Sequence, residues 1–186
     1  MESNDLSFFK SFEELLKQYR KLRSWASLCA VGSGSHFRIK DGISKLLPTK
    51  EEGGLFDYRD EEIIHLFGNR LFQNEDVVIG NGYLFSQQMT TEKVIEEAEH
   101  VRIYREYTIG EALILANELA KKNLIAEPLV DDSMGVIIFL KETEDDCFLA
   151  LKVSKDRKKT LSAKLVRVGE KVWPAGYGAI FYPLSR

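Results

Sequence analysis

Between Thr108 and Lys122 the sequence TIGEALILANELAKK makes a helix with almost no polar side to leave in water. Thr108 and Glu111 have capping-box spacing, Asn123 suits the C-terminal turn and Pro128 bars continuation. Ile109, Ala112, Leu113, Leu115, Ala116, Leu119 and Ala120 spread round most of its circumference. A helix with so little polar surface is expected at the centre of the fold, buried by the rest of the chain.

The second half of the chain reads as a sheet. Met134 to Lys141, Cys147 to Val153, Leu161 to Val168 and a last run around Gly178 to Tyr182 have strand patterning and predict an antiparallel meander. A second helix opens the chain, where Phe8, Phe9, Phe12, Leu15, Leu16, Tyr19 and Leu22 recur at three- and four-residue steps, with Asp5 as cap or Ser11 with Glu14 as a capping box. Short strands are expected within Ser27 to Pro48, with Asp41-Gly42 as a turn. Pro48 to Asp60 reads as a loop, and Asp60 caps a helix to about Leu71. Gly80-Asn81-Gly82 predicts a tight hairpin between Val77-Val78-Ile79 and Tyr83-Leu84-Phe85. Thr91 to about Glu99 reads as a helix, and the alternation from Val101 to Glu106 as a strand.

The expected fold is therefore α+β, amphipathic helices packed on a C-terminal antiparallel β-meander. Phe12, Leu16, Leu113, Ala116, Ile138 and Leu151 should share one core. A single domain over residues 1–186 is expected, because no repeat and no linker interrupts the chain; a cut near residue 90 is the alternative.

The opening residues carry acids where a signal peptide needs a basic segment, so export by that route is not expected. No apolar run approaches the roughly 18 residues of a membrane span, and no membrane partner is expected. Cys29 and Cys147 stand in apolar surroundings that suit buried, reduced thiols, and the cytoplasm is the expected location.

Charge is spread unevenly. Residues 61 to 100 hold 8 acids and 2 bases, whereas residues 151 to 186 hold 9 bases and 2 acids, which predicts a strongly dipolar molecule despite a net charge of -3. Lys152, Lys155, Arg157, Lys158, Lys159, Lys164, Arg167 and Lys171 are followed by Trp173, Tyr177, Phe181 and Tyr182. Basic side chains with interleaved aromatics are what phosphate pairing and base stacking use. The candidate binding residues are Lys155, Arg157, Lys158, Lys159, Lys164, Arg167, Lys171 and Trp173. The plainer alternative is a solvated turn whose lysines protect a sheet edge, with Trp173 plugging the core.

Other constellations carry less. Glu62 with His65 and Glu97 with His100 have the Glu-x-x-His spacing of carboxylate-bridged metal sites. The helical wheel turns both pairs away from the apolar face, so no metal is expected. Gly32-Ser33-Gly34-Ser35-His36 offers backbone donors, two hydroxyls and an imidazole, but meets neither the dinucleotide, the Walker nor the nucleophile-elbow pattern. Cys29 with His36 is the remaining nucleophile pair, and no cofactor is implied. The acidic run Glu142 to Asp146 lacks the alternating ligands of a calcium loop and reads as a solvated hairpin turn.

No catalytic set combines suitable residues with core-facing geometry. The expected function is a non-enzymatic cytoplasmic interaction or regulatory module that binds another macromolecule, with a protein as partner. The alternatives are a nucleic-acid-associated protein using the basic C-terminal β-hairpin, and a small hydrolase or transferase built on the Gly32 to His36 loop.

Overall fold

The computed structural model describes residues 21–31, 36–73, 77–125, 133–144, 147–169 and 171–182. The elements run β1 (Leu22–Val31), β2 (His36–Arg38), α1 (Ile39–Leu46), a 3-10 turn (Lys50–Glu52), β3 (Tyr58–Arg59), α2 (Glu62–Phe67), β4 (Leu71–Gln73) and β5 (Val77–Phe85). They continue with β6 (Met89–Thr90), α3 (Thr91–His100), α4 (Ile109–Lys121), β7 (Ser133–Glu144), β8 (Cys147–Asp156), β9 (Leu161–Arg167), β10 (Val172–Trp173) and β11 (Gly178–Phe181). The expected N-terminal helix over residues 8–19, with Phe12, Leu16 and its caps, lies outside the described residues, as does Gly32 to Ser35.

Gly178-Ala179-Ile180-Phe181 is buried at every position. A strand buried on both faces belongs inside a sheet, with a hydrogen-bonded neighbour on each side. β11 has β5 antiparallel on one side and β7 parallel on the other. This corrects the expected architecture: the sheet is not a C-terminal antiparallel meander but a mixed seven-stranded one in the order β1-β5-β11-β7-β8-β9-β3. Only β7, β8 and β9 form the expected meander. The first half of the chain contributes β1, β5 and β3, the last pairing parallel with β9.

Strand alternation divides the core between two faces. Val136, Ile138, Leu140, Leu151, Val153 and Ile180 turn toward α1, α2 and α4. Ile137, Phe139, Ala150, Ala179 and Phe181 turn toward α3, Met89, Ile103 and Trp173. Helices thus cover both faces of the sheet. α4 starts at the expected capping box, with Thr108 Oγ1 accepting from the Glu111 amide and Glu111 from the Thr108 amide. Leu113, Ala116, Ile138 and Leu151 share the α4-side core.

Several local expectations fail for identifiable reasons. Leu22 begins β1 instead of ending a helix, and a register shift between Ser24 and Ala26 turns the strand's buried side from one face to the other. Gly80-Asn81-Gly82 is not a turn but the middle of β5. The glycines serve close approach: a Cβ at Gly80 would lie 2.5 Å from Ile180 Cγ2, and one at Gly82 would lie 2.6 Å from the Trp25 ring. Asp41-Gly42 lies within α1, and α2 stops at Phe67, leaving Leu71 to β4. Val101 to Glu106 is not a strand. Arg102 takes a left-handed φ of 57° and the Ile103 and Tyr104 amides fold back to the Ala98 carbonyl, ending α3. Cys29 and Cys147 are exposed rather than buried, because Leu28 and Ala30 take the inward positions beside Cys29. Among the described residues no helix is long and apolar enough to cross a membrane.

Candidate functional site

The same alternation distributes the basic residues. β8 and β9 place Lys152 directly opposite Lys164. Leu151, Val153, Ala163 and Leu165 take the α4 side, so the two lysines stand on the other face. There the cover formed by α3 and the segment after it centres on Tyr83, Phe139 and Phe181, near the middle of the sheet. Toward β9 it thins, leaving Lys164 exposed and Lys152, Ser162 and Val166 half-buried.

Aromatic rings lie under the cations on this side. Lys152 Nζ is 5.4 Å from the Tyr177 ring centre and Lys164 Nζ is 5.4 Å from that of Tyr58. Lys171 Nζ lies 5.7 Å from the Trp173 ring. These separations fall within the range of cation–π attraction, which steadies each ammonium without neutralising it. Lys152 leans toward β7, where Tyr177 lies, and Lys164 toward Tyr58 of β3, so the two cations present separate positive points on one face.

The other predicted residues do not join one patch. Lys155 and Arg167 lie toward α4 and α2, Lys155 donating to Asn123 Oδ1 at 3.3 Å and Arg167 bonding Glu62 at 3.2 Å as well as Glu144. Arg157, Lys158 and Lys159 occupy the exposed β8–β9 turn, which Asp156 closes by accepting from the Thr160 amide. Trp173 is only 3% exposed, and its indole N–H donates to Thr91 Oγ1 at 2.9 Å. It is a core plug that ties β10 to the start of α3.

Across β3 the charge reverses. An open cleft of about 850 Å³ is lined by Glu51, Glu52, Asp57, Glu61, Glu62 and His65, among others. Two of these carboxylates are held structurally. Arg59 reaches Glu52 at 2.7 and 3.1 Å, and the Thr49 amide donates to the same group. The guanidinium first, and then that amide, lower the Glu52 carboxyl to about 2. Lys50 and the Leu161 amide likewise hold Asp57 below its ordinary value. A carboxyl depressed in the folded state stabilises above its unfolded pKa, and that contribution is lost as pH falls through the folded value. Glu52→Gln should therefore lower the melting temperature at pH 7 and converge with the wild type as the medium approaches pH 2, which parallel melts across that window will check.

Of the two Glu-x-x-His pairs, both histidines are exposed, while Glu62 accepts from Arg167 and Glu97 pairs with Lys21. Among the described residues no three metal-ligating groups gather. His36 and Cys29 are exposed on different strands, and Ser33 lies outside the described residues.

Sequence reading missed Glu142. Taken there as part of a solvated turn, its side chain is only 8% exposed, and it accepts from the Ile109 amide at 3.1 Å. Extending the alternation of Val136, Ile138 and Leu140 by one more step would have turned it inward. Asp145 and Asp146 of that run lie outside the described residues. Comparisons with protein families, with curated proteins and with solved structures found no match.

Proposed function

We propose that this chain is a non-enzymatic cytoplasmic interaction module that receives an acidic segment of a protein partner on the β8–β9 face. The observation that carries this reading is the opposed pair Lys152 and Lys164 where the sheet's cover thins, with Lys171 on the same side. An acidic segment lying across β8 and β9 meets both ammoniums, and its charge is complementary to theirs. A protein is favoured over a nucleic acid because Tyr177 and Trp173 are buried and Tyr58, though 45% exposed, lies under Lys164. Single-strand binding draws on rings that are open to bases.

The test is fluorescence anisotropy at low salt with labelled oligoglutamate, and with oligothymidylate as competitor. Wild-type protein should bind the peptide. Lys152→Glu with Lys164→Glu should weaken it by at least about ten-fold. The denaturation midpoint should fall only modestly, because Lys164 is exposed and Lys152 half-buried, each losing one cation–π contact. Equal affinity in the double variant, or no peptide binding at low salt, would overturn the reading. Displacement by oligothymidylate with a salt slope near -0.7 per phosphate contact would put the nucleic-acid alternative in its place.

A further inference from the structure

On the opposite face, Tyr107 runs beside β7, bridging to Leu140, with its amide donating to the Phe139 carbonyl and its carbonyl accepting from the Lys141 amide. This contact sets the first turn of α4 against Glu142. A cavity of about 390 Å³ opens there, a size typical of small-molecule sites. Ile39, Leu71, Phe72 and Ile109 give it an apolar wall, and Arg70, Glu111 and Glu142 supply its charge.

The polar groups at this helix start are almost fully committed. Glu142 Oε1 takes the Ile109 amide, Glu111 Oε2 takes the Thr108 amide and hydroxyl, and Arg105 pairs with Glu111 Oε1 at 2.8 Å. Glu142 Oε2 is the exception. Among the described residues it is the one fully buried side-chain oxygen or nitrogen without a hydrogen-bond partner. Arg70 comes only to 3.6 Å from the other oxygen, is 54% exposed, and lies over the Phe67 ring. A buried carboxylate oxygen without a donor costs free energy that a suitable donor recovers. Arg105 already answers Glu111, whereas Arg70 stays beyond hydrogen-bond distance of Glu142, so Glu142 is the carboxylate left for a cation. The helix start does not offer an anion site, because the Glu111 and Glu142 carboxylates already stand there, taking the Thr108 and Ile109 amides.

We infer that this cavity binds a small organic cation, an amine or amidine on an apolar body, whose N–H bonds Glu142 and whose body rests on Leu71 and Phe72. Leu71 is 68% exposed and lines the cavity, where such a body would cover it. The inference does not depend on the basic face.

Benzamidine is the probe, titrated into full-length protein and followed by amide NMR and calorimetry. Saturable shifts are expected at Ile109 and Gly110. Benzamide, the neutral analogue, should bind at least about ten-fold more weakly, and Glu142→Gln should weaken benzamidine to a similar degree. Leu71→Arg, an exposed change that adds a cation at the rim, provides a second variant should Glu142→Gln fail to fold, and it too should weaken binding. No saturable shift at millimolar benzamidine, equal binding of benzamide, or unaltered affinity in the variants would overturn the inference.

Discussion

Truncating Phe181 to alanine is expected to cost about 3–5 kcal/mol, the range for removing a fully buried phenyl ring. Phe181 is 0% exposed. Its ring stacks on Phe139 at 5.9 Å and lies within 6.1 Å of both Tyr83 and Tyr104, so the vacated space is bounded by rigid rings that collapse poorly. The side chain belongs to the strand that joins the two parts of the sheet, which makes the substitution a test of topology as well as packing. Urea denaturation checks it. A loss under about 1 kcal/mol, ordinary for a surface change, would mean that β11 does not lie between β5 and β7.

The corresponding change on the other face is Leu113→Ala, for which about 2–5 kcal/mol is expected. Leu113 is 0% exposed in the core that α4 shares with Ile138 and Leu151. Here the same denaturation experiment tests the helix: an unchanged midpoint would show that α4 is not packed on the sheet. Phe181 and Leu113 lie on opposite faces with separate side-chain neighbours, and their costs should add to within about 0.5 kcal/mol in the double variant.

How legible the fold was in the sequence depended on whether local chemistry decided the outcome. The Thr108–Glu111 capping box set the start of α4 because its partners lie within one turn, and the alternation in β7, β8 and β9 set three strands because each turns every second residue to the α4-side core. The glycines of β5 misled for the converse reason. Gly80 answers to Ile180 and Gly82 to Trp25, residues far along the chain, and nothing local separates a glycine that turns the backbone from one that makes room. The insertion of β11 beside β7 was hidden in the same way, since parallel pairing leaves no local signature. Of the candidate site, the lysine-rich hairpin was visible, but its division between two faces required knowing which side of β9 the helices cover. Glu142 was obscured by the acids that follow it.

The position of β11 also governs how the molecule assembles. Its residues come last among the strands of the large sheet, yet they lie third in its order. Until they dock, β1 with β5 and the β7–β8–β9 unit share no backbone hydrogen bond in that sheet, and each presents an open edge, along β5 and along β7 from Val136 to Ile138. Closing the sheet joins segments far apart in the chain, the kind of non-local step that slows folding. During synthesis, then, the nascent protein carries two open edges until the region around residue 181 is available, and the demand for chaperoning or rapid closure falls on that interval.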